Sequence, residues 1–415
     1  MPNRGEGMRE PKIVAMVLAG GEGTRLMPLT AERSKPAVPF GGRYRIVDFV
    51  LSNLVNSGIH AIYILVQYKS QSLIEHIRNG WAFSPLVPAH FITVVPPQMR
   101  EGPEWFQGTA DAVYQNINLI EPNDPDLVAV FGADHVYRMD VRAMARFHLE
   151  RDADVTISAL PVPVDEARSF GVIETDAQGR VTAFDEKPSH PKEMPGRPGM
   201  AYVSMGNYLF STGVMLDGVR SACKAGDKDF GRHVLPRLAN THRVYAYDFS
   251  SNTVPGIRPY EEPAYWRDVG TIDQYYKANL DTLGAQPRLD LYNARWPIRS
   301  SHYQGPIAHF VRASIEDSDI ASGASIRDAT VRRSLIRREV HIEDDVEIED
   351  SIILDFCHLR RGARVRRAIV DRYNTIERGV RLGYDVEQDR ARHHVTDSGI
   401  VVVTKGPYPT DTRGY

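Results

Sequence analysis

An arginine, a lysine and a set of glycines near the start of the chain have the makings of an anion site. The run Leu18-Ala19-Gly20-Gly21-Glu22-Gly23-Thr24-Arg25 follows a short apolar stretch, and Lys35 comes soon after in Arg33-Ser34-Lys35-Pro36. Glycines let a backbone pass close to a bulky anion and aim its N–H groups at it. Arg25 offers a planar fork to phosphate oxygens and Lys35 a mobile point charge. The run matches neither the G-x-x-x-x-G-K-[ST] loop nor a clean G-x-G-x-x-G fingerprint. A second candidate is Asp134 in Gly132-Ala133-Asp134-His135, just past the apolar run Leu127–Phe131. The plain reading of an aspartate there is a turn former or helix cap. His135 is read as a packing or hydrogen-bonding residue, not as a ligand or base. The sequence offers no Ser/His/Asp or Cys/His constellation.

These residues need a scaffold that gathers them. From about Ile13 to Leu283, short apolar runs alternate with helical patterns. Ile13–Leu18, Ala61–Val66, Phe91–Val95 and Leu127–Phe131 read as strands. Val47, Val50, Leu51, Leu54 and Val55 sit at helical spacing, with Gly58 placed to end that helix. Ser70 is placed to cap a helix carrying Leu73, Ile74 and Ile77, and Asp111–Ile120 reads as helical. Alternating strands and helices predict an α/β fold with a mostly parallel, Rossmann-like sheet covered on both faces. Ligands of such sheets bind beyond the carboxyl ends of the strands, where the glycine run and Asp134 fall. Farther on, Gly171–Thr175 and Val181–Lys187 predict a hairpin, Pro188–Gly199 an exposed loop, and Thr271 the start of a helix.

After about Gln286 the period changes. Aliphatic residues recur every six positions: Ile320 and Ile326; Ile336, Ile342 and Ile348; Ile353, Leu359 and Val365; Val370, Ile376 and Leu382. This pattern predicts a hexapeptide β-helix whose coils bury their apolar sides by stacking. Ordinary half-buried strands, with their period of two, permit the same spacing. Charge is segregated: Glu343 to Asp350 is acidic, and Arg360, Arg361, Arg364, Arg366 and Arg367 crowd the next stretch. Cross-coil ion pairs on a solvated face account for this; an anion site or subunit contact is the sharper alternative. The expected division is 12–285, a linker at 286–305, and 306–415.

The chain has 415 residues, enough for two or three domains, with 42% hydrophobic and 25% charged residues, the balance of a globular protein. A net charge of −3 gives no global electrostatic reason to seek nucleic acid or an anionic membrane. Two cysteines exclude a disulfide framework or a Cys-rich metal site. No apolar run approaches the ~20 residues that span a bilayer, and Ile13–Ala19 is too short for a convincing signal peptide. A reducing cytoplasm is the expected location.

The run LAGGEGTRLMPLTAERSKPAVPFGG closely resembles the signature of the sugar-nucleotide pyrophosphorylases. Gly108-Thr-Ala-Asp-Ala-Val113, Gly132-Ala-Asp-His135, Phe170-Gly-Val172, Glu186-Lys-Pro188, Ser204-Met-Gly206, Asp229-Phe-Gly231 and Tyr265-Trp-Arg-Asp-Val-Gly270 narrow the resemblance to the bacterial glucose-1-phosphate adenylyltransferase family. The likeness runs from about Val14 to Val403, and that family carries a C-terminal left-handed β-helix.

The resemblance implies a reaction of ATP with α-D-glucose 1-phosphate that yields ADP-glucose and diphosphate for glycogen synthesis. The sugar phosphate is largely dianionic near neutral pH, because its second pKa is ~6, so the attack on the α-phosphorus requires no general base. By resemblance, Leu18, Ala19, Gly20 and Gly21 hold the nucleotide, with Gln98, Gly108, Thr109 and Asp111 on the same side. Arg25 and Lys35 stabilise the phosphates, and Asp134 with its expected partner Asp268 holds Mg²⁺. Phe106, Gly171, Glu186, Lys187, Ser204, Tyr208, Asp229 and Trp266 form the sugar side, Lys187 on its phosphate. Core packing is the plain reading of Tyr208 and Trp266.

The family also implies a homotetramer controlled by small-molecule effectors bound between the domains, and Arg33 and Arg45 match basic effector positions. There are departures. Phe106 stands where Tyr is frequent, and Arg232 where Lys is common. Glu32 replaces a Lys that some relatives use for a bisphosphate activator, and Arg392-His393-His394 is less basic than the corresponding stretch. The expectation is a regulated enzyme whose main activator is not fructose 1,6-bisphosphate. The alternatives are a pyrophosphorylase for another base or sugar, a non-catalytic regulatory subunit, and a β-helix acyltransferase. The acyltransferase reading suffers from the absence of a convincing acetyl-CoA loop in the repeat.

Overall fold

Residues alternate sides along Ile13–Ala19, and each side finds its own layer of helices. Val14 and Met16 join Val128 and Val130 of Leu127–Gly132 in one buried cluster with Val113, Ile117, Val219 and Leu238. Ala15 and Val17 join Ala129 and Phe131 in another with Leu51, Leu54, Leu73, Ile77 and Met144. A strand apolar on both faces is stable only under such double cover. The computed structural model describes residues 9–83, 87, 89–99 and 104–408.

The nine-stranded sheet has its expected parallel core. Ile13–Ala19 lies between Ala61–Val66 and Leu127–Gly132, with Phe91–Val95 outermost, all parallel. The register pairs Leu18 with Gly132, so the glycine loop and Asp134 emerge at the same edge. The twelve-residue strand Met200–Ser211 extends the core antiparallel to Leu127–Gly132. It carries Gly171–Thr175 and its hairpin partner Val181–Glu186 on one side and Val155–Pro163 on the other.

Two local expectations are corrected. Ser70 does not cap its helix with its side chain; its own backbone is already helical, with φ −81° and ψ −10°. The expected helix Asp111–Ile120 is two pieces, Thr109–Tyr114 and Ile117–Ile120. The break falls at Asn116, whose side-chain amide donates to the Ala112 carbonyl at 2.8 Å and so competes with the helical ladder. Gly58, at φ 72°, ends Val47–Asn56 as expected, and Ile59 N donates to Leu54 O at 2.9 Å.

Beyond residue 308 the chain winds into coils whose short strands stack in three ladders, parallel except where His394–Val395 closes one of them antiparallel to Val401–Val403. The six-residue spacing sends successive aliphatics to successive ladders. Ile342 pairs with Leu359, Ile348 with Val365 and Ile353 with Val370. All six are buried and share one apolar cluster. Arg361 meets Asp345 at 2.9 Å, Arg366 meets Glu349 at 3.7 Å, and Arg364 pairs with Glu347. The segregated charges are therefore rungs of exposed cross-coil pairs, individually weak.

A third apolar cluster joins the two halves. Phe40, Phe49, Tyr275 and Ile298 pack with Leu335, Ile352, Ile369 and Val402 of the coils. Arg33 and Asp371 form a buried ion pair across the same seam, each side chain 2% exposed.

Candidate active site

The cleft beyond the carboxyl edge of the sheet, about 690 Å³, is lined from both ends by the segments the sequence singles out. Its floor is the glycine loop. Gly23 turns the chain at φ 65°, and Thr30 donates to its carbonyl at 2.8 Å. A side chain on Gly23 would come within 3.0 Å of Lys35 Cβ, so the loop and the lysine are packed against one another. Lys35 opens a short 3-10 turn, Lys35–Ala37, with Pro36 behind it.

The centre of the cleft is a cluster of charge. Lys35 Nζ donates to Asp134 Oδ2 at 3.0 Å and to Asp268 Oδ1 at 2.9 Å. Arg25 Nη2 stands 3.9 Å from the other oxygen of Asp268. Asp268 reaches this point because Trp266–Asp268 pairs antiparallel with His135–Tyr137, setting Asp268 opposite His135. Burial disfavours the Lys35 ammonium, but Asp134 and Asp268 outweigh it and raise its pKa. Burial likewise pushes the Asp134 carboxyl up, while His135 and Lys35 more than offset it and hold that group well below the usual carboxylate range. Asp134 is accordingly held as an anion.

Donor atoms of Asp134, His135 and Asp268 lie within 4.8 Å of one another. Two carboxylates fit a hard divalent cation that keeps part of its water shell. The Nδ1 of His135 is buried without a hydrogen-bond partner, 3.6 Å from Asp134 Oδ1, and the ring packs on Trp266 with centroids 5.0 Å apart. His135 thus packs on Trp266, in keeping with the packing role read from the sequence, with Nδ1 beside Asp134.

The opposite wall is polar and aromatic. A register shift between Ser204 and Tyr208, with Gly206 at φ 72°, turns both side chains to the cleft. Ser204 Oγ donates to the Tyr208 hydroxyl at 3.4 Å, and burial pushes the Tyr208 pKa well up, so it stays a neutral phenol. Glu186 and Lys187 end the hairpin, with Lys187 Nζ 3.6 Å from Glu186 Oε1. Lys187 takes a left-handed φ of 53°, the kind of backbone strain that persists where surroundings over-determine it. Gly171 leaves room that a side chain would fill, since a Cβ there would lie 2.6 Å from Phe184 and 3.0 Å from Glu186 Oε2. Thr109 joins the walls: its hydroxyl donates to Asp229 Oδ2 at 3.0 Å and accepts from Phe230 N at 2.9 Å. Asp229 also accepts from Arg232 N at 3.0 Å.

Leu18, Ala19, Gly20, Gly21, Arg25, Lys35, Phe106, Gly108, Thr109, Asp134, Gly171, Glu186, Lys187, Ser204, Tyr208, Asp229 and Asp268 all line this cleft. Three expected residues do not. Gln98 is exposed, and its amide donates to Pro96 O at 3.0 Å. Asp111 is buried, accepting from Gln107 N and Gln115 Nε2, both at 2.9 Å, so it anchors the segment from behind. Trp266 is a buried backing residue whose indole packs on His135 and Phe170, although its Nε1 is buried without a partner. Gln67, which also lines the cleft, was missed. It follows the strand Ala61–Val66, so position at the carboxyl end of a parallel strand was the available signal.

Arg33 and Arg45 lie apart from this cleft. Arg33 is committed to Asp371, and its Nε donates to Leu29 O at 2.9 Å. Arg45 lines a second cavity of about 330 Å³, between the halves, with Arg43, Arg337 and Arg338. Burial, then Arg372, lowers the Arg45 pKa to about 10. Glu32 is paired with Lys405.

The family model described as nucleotidyl transferase matches residues 14–284, and that described as GlmU-like, C-terminal hexapeptide matches residues 307–403. The glucose-1-phosphate adenylyltransferase of Thermodesulfovibrio yellowstonii is 54% identical over 396 residues, 95% of this chain and 96% of the relative. That of Anaeromyxobacter sp. strain Fw109-5 is 47% identical over 95% of this chain and 98% of its own length. That of Thermus thermophilus is 47% identical over 96% and 99%. With the glycine loop, the paired aspartates and the coiled repeat all present in one chain, these end-to-end matches make the protein a member of the glucose-1-phosphate adenylyltransferase family of nucleotidyl transferases.

Proposed function

We propose that the chain joins ATP and α-D-glucose 1-phosphate to give ADP-glucose and diphosphate, with Mg²⁺ as its cation. The observation that carries the reading is Lys35 held between Asp134 and Asp268, beside Arg25, at the focus of the cleft. Two anionic substrates repel one another, so the protein must align them and neutralise their charge. A sugar-phosphate oxygen attacks the α-phosphorus; the bond from that phosphorus to the bridging oxygen breaks, and diphosphate leaves with the electron pair. The glycine loop from Leu18 to Gly21 carries the nucleotide phosphates. Arg25 and Lys35 supply positive charge where it accumulates on the transferring and leaving groups. Bound by Asp134 and Asp268, Mg²⁺ would add Lewis-acid neutralisation of phosphate oxygens. On the opposite wall Glu186, Ser204, Tyr208 and Asp229 are suited to sugar hydroxyls, and Lys187 to the sugar phosphate. Gln98, Asp111 and Trp266 are assigned supporting roles only.

The domain division at 12–285, 286–305 and 306–415 belongs to the same proposal. So do regulation through the Arg45 cavity, a homotetrameric state, a cytoplasmic location and a role in α-glucan synthesis. Among the described residues no helix is long and apolar enough to cross a membrane. Pairing of Glu32 with Lys405 compensates a cation that a bisphosphate would otherwise meet, which favours an activator other than fructose 1,6-bisphosphate; an initial-rate screen with that compound as the strongest activator would refute this. The reaction itself is tested by diphosphate release from ATP, UTP, CTP and dTTP with glucose 1-phosphate. Release should be fastest with ATP and lost in a folded Asp134→Ala variant. Preference for another nucleotide, or normal turnover in Asp134→Ala, overturns the assignment.

A further inference from the structure

Lys35 is placed where an ion held by both aspartates would compete with it. Its ammonium touches one oxygen of Asp134 and one of Asp268, at 3.0 and 2.9 Å, and its side chain is only 8% exposed. The short turn that carries it is pinned by Ala37 N to Ser34 O and Val38 N to Lys35 O, both 3.0 Å, so the ammonium is not a loose surface group. Counting Arg25, two positive charges face two carboxylates, and the cluster is already neutral. A free divalent ion arriving here meets carboxylates that are engaged and an ammonium that repels it. A polyphosphate reverses both conditions: it brings negative charge and offers Lys35 new acceptors.

Resting on the catalytic reading above, we propose that Lys35 is a tethered cation that keeps the divalent-ion site closed until a phosphate-bearing substrate draws the ammonium away. Lys35 then acts in turn as a surrogate for the ion and as a phosphate ligand. Ion entry is linked to nucleotide entry, and the enzyme without substrate resists loading by stray divalent ions.

The test measures Mn²⁺ binding by the electron-paramagnetic signal of the free ion, with and without α,β-methylene-ATP. The full chain is compared with Lys35→Met, which keeps the unbranched stem and removes the charge. Without nucleotide, Lys35→Met should bind Mn²⁺ at least ~10-fold more tightly, because two carboxylates are then left with Arg25 as their one remaining countercharge, 3.9 Å from Asp268. The analogue should tighten Mn²⁺ binding more in the parent chain than in the variant. Equal or weaker Mn²⁺ binding by folded Lys35→Met overturns the proposal, since a purely structural lysine would lower affinity when lost. If that variant fails to fold, crystals of the parent chain soaked with Mn²⁺ alone and with Mn²⁺ plus the analogue decide the matter. Lys35 Nζ bonded to both carboxylates in the presence of bound nucleotide and ion refutes it; its departure from at least one supports it. Asp134→Asn separates the two levels: Mn²⁺ binding that ignores this change sinks the catalytic reading, whereas binding that depends on it but not on Lys35 sinks only the exchange.

Discussion

Replacing Asp371 by Asn removes one charge from the seam between the halves with almost no change in volume. Arg33 and Asp371 are 338 residues apart in sequence and each 2% exposed in their side chains. Arg372 is nearby, its pKa lowered by burial and then by Arg33, so a second partly buried cation also depends on this seam's carboxylates. Leaving a buried cation uncompensated costs about 3–5 kcal/mol, and the amide oxygen of Asn can still accept, so the low end, about 3 kcal/mol, is expected. With an unfolding entropy of about 2.1 cal/mol/K per residue, that loss lowers Tm by about 4 °C if ~400 residues unfold together. It lowers Tm by about 14 °C if ~100 residues of β-helix unfold by themselves. Calorimetry of the parent and Asp371→Asn therefore reads both the size of the effect and the coupling of the halves. The double variant Arg33→Met/Asp371→Leu should recover most of the loss, because it leaves no orphan charge. A destabilisation below about 1 kcal/mol in Asp371→Asn would mean that the pair is not desolvated as described.

Three further outcomes are expected. Gly171→Ala should push Glu186 and Phe184 out of place, the added carbon lying 3.0 and 2.6 Å from them; a rise of about tenfold in KM for glucose 1-phosphate is expected, and unchanged steady-state constants would remove Glu186 from the sugar wall. Ile348→Ala, at a residue 1% exposed, should cost about 2–5 kcal/mol in denaturant unfolding through the cavity it opens. Burial lowers the His148 pKa from 6.5 to about 4. Between these values the unfolded chain binds the extra proton, so the contribution is complete above pH 6.5 and is lost as pH falls toward 4. From pH 7.5 to pH 5 the loss is about 2 kcal/mol. In His148→Gln that part of the pH slope should disappear; an identical slope would mean that His148 is not held neutral.

The regular parts of the molecule were legible because their signals are local. Apolar runs flanked by turn residues marked the parallel strands, and the aliphatic period of six marked the coils, since each spacing follows from how the backbone presents side chains. The long antiparallel strand Met200–Ser211 is not legible in the sequence, for its period is broken where the register shifts between Ser204 and Tyr208. Corners of the coils rest on left-handed non-glycine residues as different as Arg333, Glu339, Asp345, Phe356 and Tyr373, which share no distinctive composition. The place of Asp111 was hidden for a related reason: a carboxylate in a motif of this kind gives no sign in sequence of the two inward hydrogen bonds it accepts in the fold.

From residue order alone came the glycine loop, the candidate cations, the class of sheet and the repeat, all of which depend on neighbours a few positions apart. Tertiary structure alone decided which distant charges meet. Asp268 joins Lys35 across 233 residues through a two-stranded pairing with His135–Tyr137. Arg33 is withdrawn from solvent by Asp371, and Lys405 is compensated by Glu32, 373 residues away. Such meetings are set by how layers pack and how loops close, where the burial of whole faces outweighs any single charge, and no short stretch of sequence carries that sum.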